Sequence, residues 1–360
     1  MRVAGSNMGG AWRQTLQAAW LSRGLIARLL YPTSLFFRAL VWARRQLFAF
    51  GLLPTRRVNA LVIVVGNVVA GGAGKTPTVM ALVQHLQGLG YTIGVISRGY
   101  GRDGTACTEV TPESSPQDAG DEPLLIRRTT LAPVFVGRTR LEAASALLER
   151  YPLTQIIICD DGLQHYGLYR DLEICVFDDR GYGNGWLLPA GPLREPWPRE
   201  ALPQSGQGDE RLLVLHTGDH PAFIGFTVQR CLALFAKGLD GTSIPLRALG
   251  APGTKPLMAV AGIAQPESFF SMLRACQVPL AKTLGLPDHY DFDSFSRSIH
   301  VGYSVICTEK DAAKLWTVAP EALAIPLVLV PEPAFFAVLD AQVTGLMAEK
   351  LSSAHGHKTT

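Results

Sequence analysis

The sequence predicts an α/β protein: a larger domain on a parallel sheet, then a smaller second α/β domain, joined by a β-hairpin linker. Short uninterrupted apolar runs such as Leu61–Val65 and Ile156–Cys159 suit strands buried on both faces, the habit of parallel sheets. Helical stretches alternate with them. Glycine-rich loops follow the first two strands, where open α/β sheets receive ligands. The length of 360 residues fits two domains, and 48% apolar against 18% charged residues excludes disorder for most of the chain. Six cysteines lie far apart with no C-x-x-C pair, so neither a disulfide framework nor a zinc cluster is expected, and a reducing compartment suits them.

The first element is a basic aromatic segment, residues 1–57. Residues 1–60 hold nine arginines and no lysine, aspartate or glutamate. Among them stand Trp12, Trp20, Phe36, Phe37, Trp42, Phe48 and Phe50. Arginine at the centre of a spanning helix costs about 2.5–3.5 kcal/mol, and here it recurs too often for a comfortable span. A pair of helices lying in the membrane interface, broken near Pro32, fits better, with aromatics in lipid and arginines on phosphates. The alternative is an amphipathic helix packed on the domain with a solvated basic face; the lack of acids favours anionic lipid.

Residues 58–222 form the larger domain. Leu61–Val65 leads into Gly66-Asn67-Val68-Val69-Ala70-Gly71-Gly72-Ala73-Gly74-Lys75-Thr76, and a helix runs on to about Gly88. Strand, glycine loop and helix start are the context of a P-loop, so the domain is read as a P-loop NTPase-type sheet. Backbone N–H groups of Gly71, Gly72, Ala73, Gly74, Lys75 and Thr76 would close on the phosphates of a nucleotide. Lys75 would reach the β/γ-phosphates and Thr76 would offer its hydroxyl to Mg²⁺. Val69 stands where the full pattern wants glycine.

Such a loop needs an acid on a neighbouring strand to hold the metal. Gln155–Cys159 runs into Asp160-Asp161, and Leu172–Phe177 runs into Asp178-Asp179. The first is the purer buried strand, which makes Asp160 and Asp161 the metal candidates and leaves Asp178 a structural or helping acid. The strand Thr92–Ile96 ends in Ser97-Arg98-Gly99-Tyr100-Gly101. Asp121 and Glu122 open the helix Leu124–Thr129, either as helix caps or as acids of the same crevice.

Residues 223–250 are the hairpin linker, turning around Gly238-Leu239-Asp240-Gly241. Residues 251–350 make the smaller domain that closes over the cleft, from Lys255–Ala261 through helix Glu267–Cys276 to strands Ser304–Thr308 and Pro326–Val330. Residues 351–360 are expected to be a disordered tail.

The ordered set of motifs carries a resemblance. Gly66-Asn67, Gly71–Pro77, Ser97–Gly101 and Gly120-Asp121-Glu122-Pro123 come first. Asp160-Asp161-Gly162-Leu163-Gln164-His165, Gly183-Asn184-Gly185 and Leu188–Pro196 follow, then Gly262-Ile263, Asp288-His289-Tyr290 and Thr308-Glu309-Lys310-Asp311. Together they resemble the tetraacyldisaccharide 4′-kinase family of lipid A biosynthesis. The resemblance implies ATP- and Mg²⁺-dependent phosphorylation of the 4′-hydroxyl of a tetraacyldisaccharide 1-phosphate. The product is lipid IVA, and the work is done at the cytoplasmic face of the bacterial inner membrane. It also implies an acid–base unit of Asp121 and His289, and a cleft lined by Glu122, Gln164, Arg194 and Glu195. The expected partners are the lipid disaccharide and an anionic membrane surface, with no nucleic acid. The rivals are a nucleotide-dependent switch or metallochaperone, a P-loop kinase of a small soluble sugar or acid, and a membrane scaffold with a vestigial P-loop. Against the first, Thr308-Glu309-Lys310-Asp311 carries its lysine one place late for the guanine-reading [NT]-K-x-D. Against the second stands the basic aromatic N-terminus, and against the third the additional acid clusters.

Overall fold

The computed structural model describes residues 15–16, 18–199, 211–218, 220–251, 253–288, 290–293, 295 and 300–356. A long helix, α1 (Leu25–Ala49), precedes the sheets. Its buried residues Ala27, Ser34 and Phe48, with half-buried Phe37 and Val41, recur at helical spacing and form one stripe against the body. The stripe is pinned by Ser34 Oγ donating to the Leu187 carbonyl at 2.5 Å and by Tyr31 packing on Trp186.

The break expected near Pro32 does not occur there. Pro32 lies inside α1, and the turn comes earlier, at residues 20–24. A proline removes one backbone hydrogen bond from a helix, and the contacts of Tyr31 and Ser34 on either side hold the helix through that loss. Leu25, Leu29, Phe36, Leu40 and Trp42 remain exposed. By length and composition α1 is apolar enough to cross a membrane.

The larger sheet begins with β1 (Leu61–Gly66), buried at every residue, and passes through α2 (Lys75–Gly88) to β2 (Ile93–Ser97). It continues with β3 (Thr108–Val110), α3 (Asp121–Thr130), β4 (Val134–Val136), α4 (Arg140–Arg150), β5 (Ile156–Asp160), β6 (Leu172–Phe177), β7 (Leu212–His216) and β8 (Phe226–Leu232). The second sheet takes β9 (Phe235–Lys237), β10 (Ser243–Pro245), β11 (Leu257–Ala261), α5 (Pro266–Ala275), β12 (Leu280–Gly285), β13 (Ser304–Thr308), α6 (Glu309–Val318) and β14 (Leu323–Ile325). The chain then returns through β15 (Leu327–Pro331) and α7 (Pro333–Gly356).

Nine strands form the larger sheet in the order β15-β8-β7-β6-β1-β5-β2-β4-β3, and six form the smaller in the order β10-β9-β14-β13-β11-β12. In the larger sheet β1 pairs in parallel with both β5 and β6, so the loop after β1 opens beside the ends of both neighbours. Val65 stands in register with Asp160. Apolar side chains cover both faces of this sheet in two clusters, one around Leu61, Ile63 and Val65, the other around Val62, Val64 and Ile157. That is why its strands read as unbroken apolar runs.

Three expectations for the second half need correction. The strand expected at Pro326–Val330 in the smaller domain is β15, which pairs antiparallel with β8 at the edge of the larger sheet. The expected tail is helical through Gly356, within α7, and residues 357–360 lie outside the described residues. Phe335, Leu339 and Val343 of α7 join the core around Leu61, and Asp340 meets His85 at 2.7 Å. Burial of that apolar face on the larger sheet supplies what a free tail lacks. The hairpin linker expected over residues 223–250 is only partly present. Its turn lies between β9 and β10, with Gly238 N donating to the Thr242 carbonyl, but those strands belong to the smaller sheet, and Phe226–Leu232 is β8 of the larger one.

Candidate active site

The site grows from the loop between β1 and α2. Gly71 and Gly74 have φ of 103° and 77°, left-handed values that glycine adopts at no steric cost. A Cβ at Gly71 would lie 3.0 Å from the Arg180 guanidinium and one at Gly74 would lie 3.2 Å from Thr217 Oγ1. Those two neighbours set the loop's shape. Arg180 donates to the carbonyls of Ala70 at 3.3 Å and Gly72 at 2.8 Å while its Nε and Nη2 grip the Asp178 carboxylate. Thr217 Oγ1 donates to the Ala73 carbonyl at 2.9 Å. With the carbonyls of Ala70, Gly72 and Ala73 engaged from behind, the loop is braced in a fixed conformation. Asp178 thereby takes the structural part expected for it.

Lys75, the first residue of α2, is kept out of the core. Its Nζ donates to Asn67 Oδ1 at 3.3 Å and stands 3.7 Å from Asp161 Oδ1. Asn67 in turn donates through Nδ2 to the Gly71 carbonyl at 3.1 Å, and Gln164 Nε2 donates to the Asn67 carbonyl at 3.1 Å. Thr76, the next residue of α2, is buried.

Asp160 ends β5 with its side chain almost wholly enclosed. Oδ2 accepts from Ser97 Oγ at 3.2 Å, and Oδ1 is buried without a hydrogen-bond partner. Burial, then the like charges of Glu122 and Asp161, push its carboxyl up to about 7 against the pull of Lys75 and Arg140. Asp161 behaves oppositely. Burial raises its proton affinity, but Lys75, Arg194 and Arg140 outweigh it and hold the carboxyl below its ordinary range. Arg194 Nη1 reaches both oxygens of Asp161 at 3.4 and 3.5 Å, and its backbone N–H donates to the Val68 carbonyl. Asp161 has φ of 46°, a left-handed value uncommon outside glycine, where the chain leaves the strand end.

Arg140, buried at the start of α4, donates to the carbonyls of Asp160 at 2.8 Å and Asp161 at 3.1 Å and so fixes the acid pair from behind. His165 lies close by. Burial and the positive charges of Arg140 and Arg98 lower it to about 4, so the ring is neutral at physiological pH.

Across the cleft, Asp121 and Glu122 open α3. Asp121 Oδ2 accepts from Lys314 Nζ at 2.7 Å, and Lys310 Nζ stands 3.6 Å from Glu122 and 3.3 Å from Asp288. Burial works against the charge of Lys310, but Glu122, Asp288 and Asp121 outweigh it and raise its proton affinity. The loop after β11 closes in from the second sheet: the Ala264 methyl lies 3.8 Å from the place of a Cβ on Gly72.

The structure therefore brings Lys75, Thr76, Asp160, Asp161, Gln164 and Arg194 to one strand-end crevice, with Asp121 and Glu122 facing the smaller unit. Glu195 is not in that group. It is buried and ion-paired with Arg199 at 3.3 Å, in a cluster that also holds Glu173 and Arg170. His289 lies outside the described residues. Sequence reasoning missed Arg180, Thr217, Arg140 and Lys314. The first three act on backbone carbonyls far away in sequence, which no local pattern reveals. Lys314, one helical turn after Lys310, was open to detection by i, i+4 spacing.

The chain is similar to known proteins over nearly its whole length. The family described as tetraacyldisaccharide-1-P 4′-kinase, LpxK, matches residues 26–344. The chain is 53% identical over 352 residues to the tetraacyldisaccharide 4′-kinase of Polaromonas naphthalenivorans, covering 97% of this chain and 100% of that protein. It is 51% identical over 335 residues to the enzyme of that name from Acidovorax sp., covering 92% and 95%. Its fold is similar to a crystal structure of the "apo" form of LpxK from Aquifex aeolicus in complex with ATP, with a TM-score of 0.73, 25% identity, and coverage of 90% of this chain and 100% of that one. A match running through both sheets and nearly the full length of its relatives makes this chain a member of the tetraacyldisaccharide 4′-kinase family.

Proposed function

We propose that this chain transfers the γ-phosphoryl group of ATP to the 4′-hydroxyl of tetraacyldisaccharide 1-phosphate, giving lipid IVA. The observation that carries the reading is the presentation of Lys75. Its ammonium stands at the mouth of a braced glycine loop, between Asn67 and Asp161, where a triphosphate would replace the weak 3.7 Å contact with a stronger one. Backbone N–H groups of Gly71–Thr76 and the N-terminus of α2 add partial positive charge to the same spot.

Phosphoryl transfer asks a protein chiefly for positioning and charge neutralisation. Lys75 and Arg194 supply positive charge, and Arg180, Thr217 and Arg140 hold the loop and acids still. The donors available to a metal are all oxygens, from Thr76, Asp160 and Asp161, which suits a hard cation. The buried, unpartnered Oδ1 of Asp160 and its raised proton affinity mark a carboxylate in want of countercharge. These three residues would hold Mg²⁺, which neutralises phosphate oxygens when bound. A sugar hydroxyl is a weak nucleophile at neutral pH. Asp121 is the base that takes its proton as the oxygen–phosphorus bond forms and ADP leaves. His289 is assigned to the same unit on the family resemblance.

The acceptor carries acyl chains that stay in lipid, since each exposed CH₂ costs about 0.8 kcal/mol. The exposed apolar stripe of α1 and its arginines Arg28, Arg38, Arg44 and Arg45 support docking on an anionic surface, at the cytoplasmic face of the inner membrane. The test is incubation with γ-labelled ATP, Mg²⁺ and tetraacyldisaccharide 1-phosphate in mixed micelles. Label enters the lipid fraction if the reading is right; phosphate released without lipid labelling overturns it.

A further inference from the structure

The smaller unit sets two lysines, one turn apart on α6, against the acids that begin α3. Lys314 Nζ donates to Asp121 Oδ2 at 2.7 Å with both side chains largely buried, and it lies 3.5 Å from the Tyr290 carbonyl. Lys310 spans Glu122 and Asp288. The helix that carries them is fixed at its start. Thr308 Oγ1 caps it by accepting from Asp311 N–H, and Asp311 accepts from the N–H of Gly262, which begins the loop facing Gly72. The unit that sets α6 against α3 therefore also carries the loop that faces Gly72, and the Asp311–Gly262 bond ties the two together.

The pairing answers an electrostatic problem of the reaction. A triphosphate entering a cleft that already holds Asp121, Glu122, Asp160 and Asp161 adds negative charge, and like charge drives carboxylates toward protonation. A base must be ionised and aimed when the hydroxyl arrives. An ammonium at 2.7 Å favours the ionised carboxylate and fixes one of its oxygens.

We propose that Lys314 is a positioning residue for the transfer: delivered by the smaller unit, it holds Asp121 oriented and charged, so the base is competent only while α6 is docked on α3. The inference rests on the reading of Asp121 as base and adds which residue, from which unit, controls it. Lys75 serves the phosphate; Lys314 serves the acceptor side.

The test is steady-state kinetics and calorimetric ATP binding on Lys314→Met, Lys314→Arg, Asp121→Asn and the double variant Asp121→Asn/Lys314→Met. Lys314→Met is expected to lower kcat about 100-fold while KM for ATP moves less than about threefold, the signature of an interaction used in the transition state. Lys314→Arg is expected to restore kcat to within about tenfold of wild type, since it keeps the charge. The double variant is expected to be no slower than Asp121→Asn, because Lys314 acts through Asp121. Losses that multiply in the double variant, or an ATP affinity that falls as far as kcat, overturn the proposal. Wild-type kcat in Lys314→Met beside a crippled Asp121→Asn overturns it alone; wild-type kcat in Asp121→Asn overturns the base reading beneath it. If Lys314→Met loses its cooperative melting transition, Lys314→Gln and Lys314→Arg carry the same comparison.

Discussion

Asp160 and Asp161 are adjacent in sequence and opposite in character. Asp161 faces Lys75 and Arg194 and stays ionised, whereas Asp160 is enclosed and its carboxyl is pushed up to about 7. The sign of the resulting pH effect follows from linkage. In metal-free buffer the folded protein keeps a proton on Asp160 that the unfolded chain has released, so this group's stabilisation is present at low pH and is lost as pH rises through about 7. Asp160→Asn is neutral at every pH. At pH 8 it is expected to be more stable than wild type by roughly 1–3 kcal/mol while transferring no phosphate. The gap is expected to be constant above about pH 7 and to narrow as pH falls from about 7 toward 4, read from melting curves of both proteins. His165, held near 4 by burial, acts in the other direction but is common to both and cancels. A gap constant with pH contradicts this account of Asp160. The acid pair itself was legible in the sequence because it ends a pure apolar strand; its asymmetry was not, because it depends on Glu122, Arg140 and Arg194, which come from three other segments.

At the scale of elements, β1, the glycine loop and α2 are where the sequence read most clearly, since period, glycines and helix start all lie within one short stretch. The helix α1 read less well. Pro32 signalled a break, yet packing of Ala27, Ser34 and Phe48 on the body holds one continuous helix. Tertiary contact outweighed a local rule. The same helix leaves Leu29, Phe36 and Trp42 exposed, with relative accessibilities of 71%, 66% and 63%. Replacing all three by serine is expected to lower partitioning onto anionic vesicles by about tenfold or more, from the apolar area withdrawn from lipid. The melting temperature is expected to hold, because none of the three packs in the core. Sedimentation with vesicles checks it, and unchanged partitioning returns α1 to the role of an amphipathic helix packed on the domain.

On the scale of the molecule, the chain leaves the larger sheet after β8, builds the second sheet, and comes back through β15 and α7. The sequence showed a second α/β unit but not this return, because strand pairing across about a hundred residues is a property of neither segment alone. The outcome is two connections between the units, with the phosphate loop, the Ala264 loop and the α3–α6 contact around the cleft between them. In the proposed function, such an arrangement would let one unit grip the nucleotide and the other cover it. The most direct measurement is a crystal structure of the full chain with Mg²⁺ and a non-hydrolysable ATP analogue. The account predicts the triphosphate along Gly71–Thr76, with Lys75 Nζ drawn from Asp161 onto the β/γ-phosphate oxygens and the Lys314–Asp121 pair intact. A loop left empty at saturating analogue, or Lys75 turned away from bound phosphate, would contradict it.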